Sequence, residues 1–293
     1  MESLGSRLSS RALPQMDDAR SLLQSSSRLA DAEIDLAPAA VALAALTRPE
    51  ASLSFYQQHL QMLADDVARS VAAELPAGEI GLAVQIRAIN EVLFERHGYE
   101  GDRTSYDDLQ NADLIRVIDR RRGLPIALGI LYIHAARAQG WLIEGVNFPG
   151  HFLLRLRDGA AAAIVDPFNG GRVCETADLR ELVKAIEGET AELRPAHFQP
   201  ASNRQMLLRL QNNIKLRLLR DEKVAEATAV VERMLLVAPD EPGLWHEAGA
   251  LQGRLGNLRA AVSAFENLVA LSRDSEHHGA ATRLLAEMKS RLN

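Results

Sequence analysis

The chain has 293 residues, of which 47% are hydrophobic and 4% aromatic, and its formal net charge is −6. This length suits one large or two modest domains, and the abundance of Ala and Leu favours a mainly helical protein. The sequence has no basic block and no stretch that combines basic and aromatic residues. We therefore expect no binding to nucleic acid and none to an anionic membrane surface.

The N-terminal segment, residues 1–27, is predicted to be a flexible tail. It lacks the apolar core of a signal peptide, and its acidic residues argue against a transit peptide. The longest apolar run, residues 36–46, is too short to span a bilayer. Cys174 is the only cysteine, so no internal disulfide can form and a reducing compartment is expected. These features predict a cytoplasmic protein.

Helical patterns fill residues 31–98 and predict three helices. The second helix carries apolar residues at the spacing of one helix face, namely Leu60, Leu63, Val67 and Val71. Gly98 is expected to end the third helix. After a polar loop, Asn111 is the predicted N-cap of a short fourth helix.

A strongly apolar helix is predicted in the stretch LPIALGILYIHAARAQG, residues 124–140. Pro125 suits its first turn, where a missing N–H costs nothing, and Gly140 suits its end. The segment has almost no polar face, so we expect it to be buried on several sides. The charged run just before it, Asp119 to Arg122, is either a solvated helix end or part of a buried ion pair.

The next stretch, EGVNFPGHFLLRLRDGAAAAIVDPFNGG, predicts a β-hairpin. Asp158-Gly159 is the strongest short hairpin signal available. If these two residues form the turn, His151 lies directly opposite Asp166, and opposed residues share one face of a sheet with Cβ atoms within about 5.5 Å. An aspartate in that position fixes the orientation and tautomer of a catalytic histidine. His151 and Asp166 are therefore a candidate catalytic pair.

The C-terminal residues 202–293 carry an internal repeat. Ala227 aligns with Ala261 and Val231 with Phe265, at the period of about 34 residues that is typical of tetratricopeptide helical hairpins. Two copies are few for a free-standing array, so we expect this block to depend on the first domain.

Two local patterns accompany the repeat. Ser202 and Gln205 form a capping-box pattern that begins its first helix. Asn212 and His246 fall at groove-facing positions of the first helices, where a peptide groove would lie.

The motifs together resemble the SirB-type bacterial family, in which a transglutaminase-like core precedes tetratricopeptide repeats. The resemblance rests on the stretches NADLIRVIDRR, GLPIALGILY, GVNFPGHFLLR and DPFNGG. It implies an α+β fold that is mainly helical, with a papain-like helix and antiparallel sheet in residues 28–200 and helical repeats in residues 202–293. It also implies that His151 and Asp166 occupy the places of the histidine and aspartate of a Cys–His–Asp triad.

The nucleophile of that triad is missing. In active transglutaminases it lies in the first helical turn, near residues 125–127, but residues 120–140 contain no Cys, Ser or Thr. We therefore favour a non-catalytic protein that acts through protein–protein contacts, with regulation as a candidate role and with His151 and Asp166 as a structural relict. The alternative is a cysteine-dependent hydrolase or acyl transferase that uses the same pair with Cys174 or an unrecognised nucleophile.

No cofactor and no metal are expected, because metal binding needs a cluster of ligands that the spacing does not supply. The expected partner is a protein or peptide, bound through the helical repeats or the cleft.

Overall fold

The computed structural model of the protein describes residues 4–74 and 80–292. The chain is mostly helical with a small antiparallel sheet, and it divides into two compact units. The larger unit comprises Met1–Leu22 and Ala30–Leu210, and the smaller comprises Leu23–Leu29 and Gln211–Asn293. The division falls later than the boundary predicted at residue 201, because one helix continues through that region.

Seven helices precede that continuing helix within the part of the chain that the structure describes, and all belong to the larger unit except that the first one ends in the smaller unit. They are α1 (Leu4–Ser27), α2 (Leu36–Ala45), α3 (Leu53–Glu74), α4 (Leu82–Asn90), α5 (Leu114–Arg120), α6 (Pro125–Arg137) and α7 (Thr176–Glu187). A π-helical segment, Glu91–Arg96, extends α4. Helix α6 is buried along nearly its whole length, as its uniformly apolar sequence predicts.

The strands of the larger unit form two sheets. Short parallel strands β1 (Glu100–Gly101) and β2 (Arg122–Gly123) pair with each other. The main sheet is antiparallel and has the order β6-β5-β4-β3-β7. Its strands are β3 (Leu142–Val146), β4 (Leu153–Asp158), β5 (Ala161–Asp166), β6 (Arg172–Val173) and β7 (Pro200–Ala201).

The segment predicted to be a flexible tail is helical over its described part, α1, while residues 1–3 lie outside the described residues. Ala19 and Leu23 are fully buried. Residues four apart lie on the same face of a helix, so these two side chains anchor its C-terminal half. The prediction was wrong because the serine-rich composition has a low intrinsic helix propensity, and burial overrides it.

Helix boundaries follow side-chain caps. The predicted capping box is confirmed, since Ser202 Oγ accepts a hydrogen bond from the Gln205 N–H at 3.1 Å and the Gln205 side chain accepts one from the Ser202 N–H at 2.9 Å. For α5 the N-cap is Asp113 rather than the predicted Asn111. The Asp113 carboxylate accepts the Arg116 N–H at 3.0 Å, whereas the Asn111 side chain is buried and bound to Arg120.

The smaller unit is built from helical hairpins. Its helices are α8 (Asn203–Arg220), which begins in the larger unit, α9 (Val224–Val237), α10 (Pro242–Arg254), α11 (Leu258–Leu271) and α12 (His278–Leu292). Gly249 of α10 faces the Phe265 ring of α11, and a Cβ on Gly249 would lie 2.7 Å from that ring. The Trp245 indole donates a hydrogen bond to the Pro239 carbonyl at 2.7 Å. The Gly and Phe positions of the repeat motif therefore correspond to close packing between α10 and α11.

We predict that residues 202–293, expressed alone, unfold without a cooperative transition. Two hairpins and a last helix bury little apolar surface, and the fragment would also lack Leu23–Leu29, which group with this unit. Thermal melting followed by circular dichroism measures this, with the full-length chain as the control. A cooperative transition at the temperature of the full-length chain would show that the fragment folds independently.

Candidate functional site

The DPFNGG motif forms a tight turn that fixes Asp166. The carboxylate accepts hydrogen bonds from the Phe168 N–H at 2.9 Å and the Asn169 N–H at 3.3 Å. Its second oxygen accepts from the Asn169 side-chain amide at 2.6 Å. Asp166 therefore caps the turn that follows β5 and is held in one orientation, with 3% of its surface exposed.

His151 lies in the loop before β4 and approaches the same carboxylate. Its Nε2 is 3.0 Å from Asp166 Oδ2, in a geometry that falls short of a full hydrogen bond. The His151 carbonyl accepts a hydrogen bond from the Arg209 guanidinium at 3.1 Å. The ring of His151 stands edge-on to the Phe168 ring, with centroids 6.4 Å apart. The predicted pair is thus brought together.

The register of the hairpin differs from the predicted one. Asp158 pairs with Ala161, so Gly159 and Ala160 form the turn rather than Asp158 and Gly159. Gly159 has a φ of 57°, and a positive φ at the first central residue alone is the pattern of a type II′ turn. His151 therefore is not directly opposite Asp166.

The two side chains nevertheless meet, because the register moves by an even number of residues. Such a shift preserves the face on which each side chain lies. Asp166 is the last residue of β5, and His151 precedes β4 in its approach loop. The His151 and Asp166 side chains therefore meet at the end of the β4–β5 pair where β4 begins and β5 ends.

Burial raises the pKa of the Asp166 carboxyl, but the proximity of His151 and the hydrogen bonds from Asn169 and Phe168 lower it more. The net pKa lies below the ordinary value for aspartate. Asp166 is therefore a carboxylate at neutral pH and can orient an imidazole.

Phe152, the residue after His151, holds this region against α6. Its ring lies between two glycines, since a Cβ on Gly129 of α6 would be 2.5 Å from the ring and one on Gly145 of β3 would be 2.7 Å from it. Only a residue without a side chain fits at these positions. The sheet and α6 therefore approach closely beside the histidine loop.

The first turn of α6 presents no nucleophile. Ile126 and Ala127 are buried, and Ala127 has no exposed surface. Farther along the helix, the Tyr132 hydroxyl donates a hydrogen bond to Asn90 Oδ1 at 3.2 Å. Asn90 in turn donates to the Gly171 carbonyl at 2.9 Å, so it links α6 to the end of the DPFNGG turn.

Cys174 lies in the hydrophobic core. It packs with the apolar side chains Val146, Phe148, Leu153, Leu179 and Val183. Burial raises the pKa of its thiol to about 11, and Asp166 raises it as well, against a lowering by Arg172. At neutral pH the group is a protonated thiol, which is a poor nucleophile.

The charged run before α6 contributes to a buried ion pair. Arg120 donates to the Asp102 carboxylate at 3.0 Å and to Asn111 Oδ1 at 3.0 Å. Asp102 also accepts hydrogen bonds from Ser105, and these contacts together lower its pKa against the raising effect of burial, to about 2. Of the two alternatives for this run, the buried ion pair holds for Arg120.

The sequence alone did not indicate Asn90, Arg103 or Arg209 as parts of this region. Each lies far along the chain from His151, in a segment whose local pattern is that of an ordinary helix or polar loop.

Of the two predicted groove residues, His246 lines a cavity of about 400 Å³ between α10, α11 and α12, and Asn212 does not. That cavity is mainly apolar, with Leu268, Leu271 and Leu284 in its lining.

Within residues 4–74 and 80–292, no three His, Cys, Asp or Glu side chains converge in a way that could hold a metal ion. No helix in the described part of the chain is long and apolar enough to cross a bilayer.

Comparison with known proteins identifies two matching family models. The Transglutaminase-like superfamily model matches residues 54–212, and a Tetratricopeptide repeat model matches residues 214–286. A UPF0162 protein of Xylella fastidiosa strain 9a5c is 31% identical over 79% of this chain and 82% of its own. One from Vibrio cholerae is 27% identical over 80% of this chain and 86% of its own. Mouse F-box only protein 21 is 39% identical over 100 residues, which are 32% of this chain and 16% of that protein.

Proposed function

Because the chain belongs to the transglutaminase-like superfamily, shares most of its length with UPF0162 proteins and carries tetratricopeptide repeats, we propose that it is a non-catalytic member of that superfamily. It acts through contacts with another protein and regulates that partner. We place it in the cytoplasm, where a lone cysteine stays reduced.

The observation that carries this proposal is the first turn of α6. The superfamily's chemistry needs a thiolate at that helix N-terminus, within reach of an imidazole. Here the turn holds Pro125, Ile126 and Ala127, and the single thiol of the chain, Cys174, belongs to an apolar cluster. His151 and Asp166 remain close together but have no group to activate.

The repeats supply the means of contact with a partner. Tetratricopeptide hairpins stack to present a groove, and His246 lines an apolar cavity of about 400 Å³ in this unit. The match to F-box only protein 21 favours the same view, since the matched stretch of 100 residues is a small part of that protein, as a binding module would be.

The proposal predicts that the purified protein neither cleaves nor cross-links peptides. It also predicts that a thiol placed in the first turn of α6 becomes reactive. In a Cys174→Ser background, Ala127→Cys should give a thiol whose pKa is about 7 or lower, because the helix N-terminus and His151 stabilise the thiolate by more than the burial of this position destabilises it. The pH dependence of iodoacetamide labelling measures that pKa.

The control adds His151→Ala to the same variant, and the thiol pKa should then rise toward its ordinary value of about 8.5. A pKa that does not depend on His151 would show that the pair is not a relict of a triad. Peptide cleavage or amine incorporation by the unmodified protein, lost in Cys174→Ser, would establish the alternative cysteine-dependent enzyme.

A further inference from the structure

The Phe168 ring is the centre of a cluster of polar and aromatic side chains beside His151. The Arg103 guanidinium lies over its face, 5.5 Å from the centroid. Tyr106 and His151 stand edge-on to the same ring, with centroids 5.8 Å and 6.4 Å away. We call these four residues the Phe168 cluster. Arg103 and Tyr106 are exposed, so the cluster faces solvent.

Arg103 is held in place by contacts that leave most of its donors unused. Its guanidinium lies over the Phe168 ring and donates a hydrogen bond to the Asn169 side-chain oxygen. A guanidinium has five N–H donors in a rigid planar fork. These two contacts hold the fork, so less rotamer freedom is lost when a ligand binds.

Arg103 has no carboxylate partner among the described residues. Three acidic side chains near it in the chain and in the turn are engaged elsewhere. Asp102 is paired with Arg120 at 3.0 Å, Asp108 accepts the Gln110 N–H at 2.9 Å, and Asp166 is bound by its own turn and His151. An oriented guanidinium without an internal anion is suited to bind an external one.

Exposed apolar side chains accompany this cation. Tyr106 is 44% exposed, and Ile186, which is 58% exposed, contacts Gly150 beside His151. A ligand that covers this region must therefore offer apolar groups around its anion. An acidic residue within a partner's chain has such neighbours, whereas a free small carboxylate has none.

We propose that the Phe168 cluster is a docking site for an aspartate or glutamate side chain within an otherwise apolar segment of a protein partner. The carboxylate pairs with the Arg103 guanidinium, and the flanking apolar side chains contact Tyr106 and Ile186. This inference rests on the proposed non-catalytic role, because it makes the region beside His151 and Asp166 a binding surface.

The test measures binding of three peptides to the full-length protein by fluorescence anisotropy. The first is capped at both ends and carries a Leu-Glu-Leu segment, the second has Gln in place of Glu, and the third has Gln and a free C-terminal carboxylate. The Glu peptide should bind at least about threefold more tightly than the Gln peptide, the size expected of one well-oriented charge pair. The preference should fall as salt is raised.

Arg103→Ala should abolish the preference for Glu, and Arg103→Lys should weaken it, because lysine keeps the charge but neither stacks nor binds with two donors. Arg180→Ala is the matched control, since Arg180 is an exposed arginine that already has a carboxylate neighbour, Glu192 at 3.8 Å. Unchanged thermal melting of Arg103→Ala would establish that this variant is folded.

Four outcomes would overturn the proposal. They are equal binding of the Glu and Gln peptides, a preference that survives Arg103→Ala, tighter binding of the peptide with the free C-terminus, and no binding at millimolar peptide. Mass spectrometry of the same mixtures tests the proposed function separately. Cleaved peptide would contradict the non-catalytic role without affecting the comparison of Arg103 variants.

Discussion

Iodoacetamide should alkylate Cys174 at about pH 7.5 at least about a hundredfold more slowly than an ordinary exposed thiol, because the fraction of Cys174 present as thiolate is smaller by a factor of that order. Burial raises the pKa of this thiol to about 11, and Asp166 contributes in the same direction. Only the thiolate reacts, so a pKa about two units higher removes about 99% of the reactive form. Intact-protein mass spectrometry over a range of pH gives the rate.

The same protein unfolded in urea provides the control, because its thiol is then exposed and should react at an ordinary rate. Labelling of the folded protein should accelerate as pH rises through the alkaline range. Fast labelling at neutral pH that disappears in His151→Ala would contradict the expectation, since it would reveal an ion pair between Cys174 and His151. The alternative of an active cysteine enzyme would then be favoured.

Gly171→Ala should destabilise the larger unit by about 3 kcal/mol. Gly171 has a φ of 71°, a conformation that costs alanine about 1 kcal/mol. A Cβ there would also lie 1.9 Å from Asn90 Oδ1, so Asn90 would have to move and lose its hydrogen bonds to the Gly171 carbonyl and Tyr132. Urea unfolding in a Trp245→Phe background measures the loss, because Trp141 fluorescence then reports on the larger unit.

Gly170→Ala is the matched control for that substitution. Gly170 is adjacent, has a φ of 67°, and has no atom within 4 Å of the position a Cβ would take. It should therefore cost only the backbone strain, about 1 kcal/mol. Equal losses for the two variants would show that the contact between Asn90 and the turn contributes nothing to stability.

The sequence predicted those parts of the fold that are encoded locally. The capping box at Ser202, the buried helix that begins at Pro125, and the repeat motif around Gly249 each depend on neighbours within one or two helical turns. The transglutaminase-like core was predicted from motif resemblance, and the family comparison confirms it.

What the sequence did not predict depends on contacts between distant segments. The hairpin turn was misplaced because Asp158-Gly159 and Gly159-Ala160 are both plausible turns, and packing of the whole sheet decides between them. The contact of Arg103 with Phe168 and that of Arg209 with His151 join residues far apart in the chain. No local pattern marks such residues.

The two outermost strands of the main sheet limit how another chain can associate with it. Both β6 and β7 are only two residues long, β6 begins with the charged Arg172, and β7 begins with Pro200, which has no N–H to donate. Edges of this kind offer too few backbone groups for a further strand to pair with, and they also protect against edge-to-edge aggregation. Strand addition onto β6 or β7 is therefore disfavoured, and a partner that docks against these two strands would be selected through side chains and shape.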